Sequence, residues 1–354
     1  MSDNAAQGSI RLLAHGHSPD RDPFITVAIC TRNRAEFLAQ AVRSLLPQLT
    51  ADTELLIVDN GSSDATPGVV AELAAVHRAI RTCREARPGI AVARNTALAV
   101  ARGRFVLFFD DDQYPSAGWL GAYRDFLLRQ PSDRIAAVGG AILPEVEGPC
   151  PKWFDARSMT LELGHPARRL TGKTSPGCGN CAYERQATLS AGGFCVGLDR
   201  YEECDLNARL QRAGYEIWWL PDAAIYHRVP ADRLRLGALS RTAFAEGKAA
   251  AAMRLRGIDR VWSRRGYRMG RLVLAPFHFL LTALGVVATA PFQRGRTAIR
   301  LWQRAVRIAG LATVLVSRPT PRGRPGPPAS GPAGSRPAAR WLRLREVTAH
   351  RTSR

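Results

Sequence analysis

Three consecutive aspartates follow a short apolar segment of the chain. Asp110, Asp111 and Asp112 come directly after residues 105–109, which are Phe-Val-Leu-Phe-Phe. Five apolar residues in a row predict a buried strand, and carboxylates at its end would repel one another unless positive charge lay among them. Mg²⁺ or Mn²⁺ fits this position, because such a cation binds one or two carboxylates and completes its coordination with phosphate oxygens and water. The triplet therefore predicts a divalent cation and a phosphorylated ligand, the alternative being a solvated acidic loop.

A further carboxylate, Asp59, follows a second predicted strand at residues 54–58. Open α/β sheets bind ligands at the carboxyl ends of their strands, so Asp59 could accept a hydrogen bond from a base or a ribose hydroxyl. The alternative is an Asx turn that opens the Asp-Asn-Gly loop at 59–61. No dinucleotide-binding or Walker glycine pattern follows any of the predicted strands, so the phosphates must be held in another way.

The elements that would position these carboxylates are alternating apolar and amphipathic segments between residues 24 and 142. This alternation predicts an α/β fold, with a mostly parallel sheet flanked by helices. Thr66 is expected to cap one of the helices. Residues 144–173 lack a regular pattern and are predicted to form long loops. The predicted strands are 25–29, 54–58, 80–83, 105–109 and 215–220, and the later predicted helices are 90–101, 184–189 and one that begins at Glu202.

Charge is distributed unevenly along the 354 residues, whose formal net charge is +20. Residues 1–232 hold 25 Lys and Arg against 27 Asp and Glu, whereas residues 233–354 hold 25 against 3. The hydrophobic content of 46% excludes wholesale disorder. The basic C-terminal third has two interpretations, a membrane-docking device or an Arg-rich segment that grips nucleic acid. We favour the membrane, because the charge is interleaved with a long apolar segment and no base-reading motif accompanies it.

The C-terminal third is predicted to be an apolar and amphipathic helical extension. Residues 272–292 contain no charged side chain, and this length reaches what is needed to cross a bilayer. The following segment, 299–316, places Arg300, Arg304 and Arg307 on one side of a helix, as in helices that lie at a membrane interface. Residues 318–340, rich in Pro, Gly and Arg, are predicted to be a flexible tail. Seven cysteines and the lack of an apolar N-terminal segment indicate reduced thiols in the cytoplasm.

Four short motifs occur in a fixed order along the first part of the chain. They are Thr-Arg-Asn-Arg at 31–34, Val-Asp-Asn-Gly at 58–61, Ala-Arg-Asn at 93–95 and the triplet at 110–112. Together they resemble family 2 of the glycosyltransferases. The resemblance covers residues 24–230 and implies a GT-A fold, with a nucleotide-sugar-binding half at 24–142 and an acceptor half at 143–232. Residues 1–23 are then expected to be a flexible leader, 233–317 a membrane-associating helical region and 318–354 a disordered tail.

The resemblance also implies roles for individual residues. Those implied to bind the nucleotide sugar are Thr31, Arg32, Asn33, Asp59, Arg94, Asp110 and Asp111. Asp110 and Asp112 match the outer positions of the family's DxD motif and, with His227, would bind Mg²⁺ or Mn²⁺. A capped surface histidine is the alternative for His227. The residues implied to line the acceptor and sugar cleft are Gly179, Asn180, Trp153 and Glu202, although Trp153 could instead pack within its loop.

The catalytic base implied by the resemblance is Glu203. It lies in the sequence Tyr-Glu-Glu-Cys-Asp-Leu at 201–206, which is similar to the family's acidic pair ahead of a helix. This chain has Glu where Asp is more usual, so Glu202 remains a rival, and a helix N-terminal acid is the alternative. Displacement at an anomeric carbon requires a proton to leave the acceptor hydroxyl and charge on the leaving diphosphate to be neutralised. One carboxylate and one cation suffice, and a single displacement would invert the anomeric configuration.

The expected function is sugar transfer from a nucleotide-diphosphate sugar to a hydroxyl acceptor in bacterial polysaccharide biosynthesis. The acceptor is expected to be a polysaccharide or a lipid-linked glycan, met at the cytoplasmic face of the membrane. The alternatives are a nucleotidyltransferase or another metal-dependent phosphoryl enzyme, and an Arg-rich nucleic-acid-binding protein.

Overall fold

The computed structural model describes residues 10–14, 22–151, 154–172, 174–198, 200–256, 280 and 296–316. Its strands are β1 (Ile10–Ala14), β2 (Ile25–Thr31), β3 (Thr53–Asp59), β4 (Ile80–Glu85), β5 (Phe105–Phe109), β6 (Gln113–Pro115), β7 (Ile135–Glu147), β8 (Arg168–Leu170), β9 (Asn180–Glu184) and β10 (Glu216–Pro230). Its helices are α1 (Ala35–Leu45), α2 (Thr66–Val76), α3 (Ile90–Val100), α4 (Trp119–Arg129), α5 (Arg185–Ser190), α6 (Glu202–Arg212), α7 (Leu236–Arg256) and α8 (Arg296–Val316).

The first half of the domain is the predicted parallel α/β unit. Strands β4, β3, β2 and β5 lie side by side and run parallel, with helices on both faces of the sheet. Side chains alternate along each strand, so Val27 and Ile29 pack in one core with Leu38 of α1 while Ala28 packs in the other with Ala97 of α3. Burial on both faces explains why these strands are continuous apolar runs.

The second half of the domain departs from a mostly parallel sheet. Strand β9 inserts antiparallel between β5 and β7, and β6 pairs antiparallel with β10 at the far edge, while β7 and β10 are parallel. Part of the region predicted to be long loops is strand, because β7 continues to Glu147 and β8 pairs with β10. Residues 10–14, within the predicted leader, pair with β4 as β1.

Thr66 does not cap α2 but is its first residue. The Asp64 carboxylate accepts a hydrogen bond of 2.9 Å from the Thr66 N–H, which is the role predicted for Thr66 itself. The Thr66 hydroxyl accepts instead from the Arg34 N–H, at 3.0 Å. Thr66 therefore joins the loop after β2 to the helix after β3, a contact between distant segments that local helix signals do not encode.

Helices α7 and α8 pack against each other at glycines. A Cβ atom on Gly247 would lie 1.9 Å from the Arg307 carbonyl oxygen, and one on Gly310 would lie 2.1 Å from that of Phe244. Only glycine permits this backbone contact. Arg300 and Arg307 remain more than half exposed, as the amphipathic pattern predicts, but both are ion-paired, Arg300 with Asp155 at 2.6 Å and Arg307 with Glu246.

Most of the residues predicted to associate with a membrane lie outside the part of the chain that the structure describes. Within the described ranges, no helix is both long enough and apolar enough to span a bilayer. Residues 272–292, apart from Leu280, and residues 318–354 lie outside the described residues.

Candidate functional site

A cavity of about 700 Å³ opens at the carboxyl ends of β2 and β5. It is lined by the loop after β2, by α3, by the aspartate triplet, by the glycine loop before β9, by the start of α6 and by α7. The structure brings together here ten of the residues predicted from the sequence. They are Thr31, Arg32, Arg94, Asp110, Asp111, Asp112, Gly179, Glu202, Glu203 and His227.

Two other residues that were predicted to bind the nucleotide sugar lie beside the cavity lining and are not part of it. Asn33 is exposed, with φ 53°, and its side-chain oxygen accepts from the Ser63 N–H at 2.8 Å, which joins two loops of the crevice. Asp59 is 1% exposed and accepts from the Ser62 N–H at 2.9 Å. Its Oδ2 atom has no hydrogen-bond partner among the described residues. Arg84 Nε lies 3.8 Å from this oxygen, an ion-pair distance too long for a hydrogen bond, so Asp59 keeps the capacity to accept one from a ligand.

Asn180 lies in the core, not in the predicted acceptor cleft. Its side-chain nitrogen donates to the carbonyl oxygens of Ala141 and Ala223, and its oxygen accepts from Trp119 Nε1 at 2.8 Å and the Tyr123 hydroxyl at 3.0 Å. The amide is fully satisfied inside the protein, because β9 carries it between β5 and β7. Trp153, the other aromatic candidate for the cleft, lies outside the described residues.

Arginines surround the acidic triplet. Arg94 lies 3.3 Å from Asp110, Arg34 lies 2.9 Å from Asp111 and 2.8 Å from Asp112, and Arg233 lies 2.9 Å from Asp112. The guanidinium groups therefore supply part of the positive charge that three adjacent carboxylates require. The sequence alone predicts that a cation supplies it. These groups can also donate to phosphate oxygens.

The carboxyl groups of the triplet differ in environment. Burial raises the pKa of Asp111 to about 6, although Arg34 and a 2.7 Å hydrogen bond from Thr31 oppose the shift. Burial would also raise the pKa of Asp112, but hydrogen bonds and charge from His227 and Arg34 outweigh it and hold that pKa well below its usual range. Asp112 is therefore the carboxylate that stays ionised, as a metal ligand must.

Asp112 and His227 form the part of the site that fits a divalent cation. His227 Nε2 lies 3.5 Å from Asp112 Oδ1, because the β6–β10 ladder sets His227 opposite Gln113. Among the described residues, no three His, Cys, Asp or Glu side chains are grouped as a complete metal site. A carboxylate and an imidazole leave positions open for phosphate oxygens and water, as Mg²⁺ and Mn²⁺ sites at phosphates do.

Gly179 allows Asp110 to approach the glycine loop. A Cβ atom at residue 179 would lie 2.2 Å from Asp110 Oδ2 and 2.8 Å from Gln113 Nε2. The other carboxylate oxygen of Asp110 lies 3.3 Å from Arg94.

The two candidate bases, Glu202 and Glu203, have different neighbours. Glu202 is 4% exposed and its Oε1 is ion-paired with Arg94, which also contacts Asp110. Its Oε2 has no hydrogen-bond partner among the described residues. Glu203 also lines the cavity, where burial and the negative charge of Glu202 raise its pKa to about 6. A carboxyl group with that pKa is suited to removing a proton near neutral pH.

Several cavity residues were not assigned from the sequence. Arg34 belongs to the first motif, and its position immediately before α1 could have indicated a phosphate contact. Asn60 holds the loop before α3, since it donates to the Arg87 carbonyl oxygen at 2.7 Å and accepts from the Gly89 N–H at 2.8 Å. Tyr201 and Glu246 line the cavity as well. Nothing in the sequence indicates that Glu246, on α7, reaches the cavity formed by residues earlier in the chain.

Comparisons with known proteins agree with this geometry. The model of the family described as Glycosyl transferase family 2 matches residues 26–186. The succinoglycan biosynthesis protein ExoM of Rhizobium meliloti is 26% identical over 304 residues, which is 83% of this chain and 94% of that protein. A pre-mycofactocin glycosyltransferase of Mycobacterium tuberculosis is 32% identical over 209 residues, 57% of this chain and 42% of its own length.

The fold comparison points the same way. A solved mannosyltransferase from Pyrobaculum calidifontis, in complex with GDP-Man and Mn²⁺, superimposes with a TM-score of 0.55 and 19% identity, over 83% of this chain and 88% of that one. The family model ends before Glu203 and His227, so their roles rest on the geometry of the cavity. With its GT-A fold and the four motifs in place, residues 26–186 of the chain form a glycosyltransferase family 2 domain.

Proposed function

We propose that this enzyme transfers a sugar from a nucleoside diphosphate sugar to a hydroxyl of a polysaccharide or lipid-linked glycan, with Mg²⁺ or Mn²⁺, in one inverting displacement. The observation that carries the proposal is that one cavity holds both the aspartate triplet and Glu203. The similarity to a succinoglycan biosynthesis protein over most of both chains supports a glycan product.

The nucleoside end of the cavity is formed by the loops after β2, β3 and β4. Asp59 Oδ2, buried and without a hydrogen-bond donor among the described residues, would accept a hydrogen bond from the base, as its place beside Asn60 allows. Thr31 is held by Asp111 and would border the ribose. Asn60 fixes the loop that closes over this end through its hydrogen bonds to Arg87 and Gly89.

The diphosphate would lie against the triplet. Arg34 and Arg94 line the cavity and can turn from the aspartates to donate to phosphate oxygens. Asp112 and His227 would hold the divalent cation, which when bound neutralises charge on the leaving diphosphate.

The reaction itself needs a base at the acceptor hydroxyl. Glu203, as the carboxylate, would accept that proton while the hydroxyl oxygen attacks the anomeric carbon. Glu202 is less suited to this step, because its ion pair with Arg94 commits one oxygen and stabilises its charge. Glu202 would instead keep Arg94 in place, with its free Oε2 available to a sugar hydroxyl.

The C-terminal charge supports a location at the cytoplasmic face of a membrane. Residues 233–354 hold 25 Lys and Arg against 3 Asp and Glu, and each basic residue near an anionic leaflet contributes about 1 kcal/mol. A lipid-linked acceptor would then be presented beside the enzyme.

A screen of nucleotide sugars tests the proposal. We expect slow hydrolysis of one donor in the presence of Mn²⁺ or Mg²⁺, with release of the nucleoside diphosphate and inversion at the anomeric carbon seen by NMR in the transfer product. Release of pyrophosphate would indicate a nucleotidyltransferase. A retained anomeric configuration would contradict the single displacement.

A further inference from the structure

The C-terminal helix pair reaches the catalytic cavity. Glu246 of α7 lines the same cavity as Glu203, although 43 residues separate them in the chain. The Glu246 carboxylate is ion-paired with Arg307 of α8 and retains 23% of its side-chain surface. The backbone contacts at Gly247 and Gly310 fix this crossing, and the carboxylate therefore has a defined position at the cavity wall.

Tyr201 lies beside Glu246 with an unusual backbone conformation. Its φ is 63°, in the left-handed region, where a bulky side chain costs roughly 1–2 kcal/mol. It lines the cavity and immediately precedes the Glu202–Glu203 pair. Tyr201 and Glu246 line the same cavity, and burial, followed by the negative charge of Glu246, raises the pKa of the Tyr201 hydroxyl. Strained backbone of this kind is retained where a function requires it.

Tyr201, Glu246 and Arg307 therefore combine an aromatic ring, a hydrogen-bond acceptor and a guanidinium donor. An aromatic ring packs against the apolar face of a sugar, and a carboxylate–guanidinium pair can accept from and donate to neighbouring hydroxyls. Tyr201, just before α6, and Glu246, on α7, line the cavity together with Glu203, whereas the nucleoside loops reach it from β2, β3 and β4. The acceptor hydroxyl must reach Glu203, so a ligand beside Glu203 and away from those loops is the acceptor.

We propose that Tyr201 and Glu246, with Glu246 held by Arg307, form the subsite that binds the sugar ring of the acceptor. The inference rests on the proposed function, in which Glu203 is the base. It gives the C-terminal helix pair a role in acceptor recognition, separate from any contact with lipid.

The test uses the full-length protein, the donor found in the nucleotide-sugar screen and a panel of octyl glycosides as acceptor probes. We expect Glu246→Gln to raise the acceptor KM about 10-fold or more, while donor hydrolysis without acceptor stays within 2-fold of the wild type. Glu72→Gln, an exposed glutamate on α2, is the matched control and should leave both values unchanged.

Two further variants separate binding from folding. The exchange Glu246→Arg with Arg307→Glu keeps an ion pair between α7 and α8, so we expect wild-type thermal stability but no recovery of the acceptor KM. Tyr201→Gly removes the ring and relieves the left-handed strain, so we expect unchanged or higher stability together with a raised acceptor KM. Tyr201→Phe keeps the ring and should change the acceptor KM by no more than about 3-fold.

The outcomes distinguish this inference from the proposed function. Normal donor hydrolysis with an unchanged acceptor KM in Glu246→Gln and Tyr201→Gly would overturn the subsite alone. Full recovery of the acceptor KM by the charge exchange would reduce Glu246 to a structural role and overturn it as well. Absence of donor hydrolysis in the wild type would overturn the proposed function, and with it this inference.

Discussion

Glu202 and Glu203 are neighbours in the chain, but among the described residues an arginine pairs only with Glu202. Glu202 is committed to Arg94, and Arg94 in turn contacts Asp110, so this pair connects the start of α6 with the triplet. Glu203 has no such ion pair within the described part of the chain, and its pKa is raised. At the scale of single residues, the assignment of the base therefore depends on which carboxylate an arginine neutralises.

Replacement of Glu203 tests this assignment. We expect Glu203→Gln to lower kcat about 10²- to 10⁴-fold, the usual contribution of a general base, while the Kd of the donor changes less than 3-fold. Discontinuous transfer assays with the nucleotide sugar found in the screen give kcat, and calorimetry gives the Kd of that nucleotide sugar. The opposite pattern, with transfer lost in Glu202→Gln and retained in Glu203→Gln, would move the base to Glu202.

The raised pKa of Glu203 predicts a pH dependence. The base acts as the carboxylate, and the carboxylate fraction falls as the pH drops through about 6, so kcat should fall on the acid side with that midpoint. Glu202→Gln removes a negative charge that raises the pKa of Glu203, so the midpoint should move to lower pH. A midpoint that stays near 6 in Glu202→Gln would show that another group controls the profile.

At the scale of elements, the sequence predicted the parallel half of the sheet well and the mixed half poorly. Strands β2, β3 and β5 are buried on both faces, so their apolar runs are visible in the sequence, and Phe105–Phe109 has the predicted bounds. Strand β9 is only five residues long and gains its place from antiparallel pairing with β5 and β7, which local pattern does not encode. Asn180 was misplaced for this reason.

Site residues that lie in local motifs could be predicted from the sequence, whereas those that reach the site through long-range packing could not. Motif residues such as Asp112 are specified by their place after a strand, and ten predicted residues do line the cavity. Arg233 and Glu246 arrive through tertiary packing of segments beyond the predicted domain boundary at 232. These two residues reach the site through contacts between segments far apart in the chain. Such contacts leave no pattern in the local sequence.

The buried position of Asn180 predicts a stability effect. Asn180→Ala would remove the side-chain partner of Trp119 Nε1 and of the Ala141 and Ala223 carbonyl oxygens, so the free energy of unfolding should fall by about 2–5 kcal/mol. The Tyr123 hydroxyl would keep its hydrogen bond to the backbone oxygen of residue 180. Urea unfolding followed by tryptophan fluorescence measures the change. Gln186→Ala, at an exposed position, should alter stability by less than about 0.5 kcal/mol. Unchanged stability in Asn180→Ala would contradict the core placement.

At the scale of the whole molecule, a near-neutral catalytic domain is joined to a strongly basic C-terminal third. Residues 318–354 carry nine Arg and one Glu. We expect a chain that ends at residue 317 to keep donor hydrolysis within 2-fold of the full-length rate, because every residue placed at the cavity lies before that point. Its partition onto vesicles of anionic lipid should weaken, since each lost Arg removes up to about 1 kcal/mol. Loss of hydrolysis in the shortened chain would contradict the separation of the tail from catalysis.

The proposed reaction depends on a nucleotide sugar and a divalent cation binding together at the triplet. Isothermal titration calorimetry of the donor, with Mn²⁺ and with EDTA, measures this directly in the wild type and in Asp112→Asn. We predict that Mn²⁺ tightens donor binding at least 10-fold in the wild type and less than 2-fold in Asp112→Asn. Equal donor affinity with Mn²⁺ and with EDTA in the wild type would contradict the account.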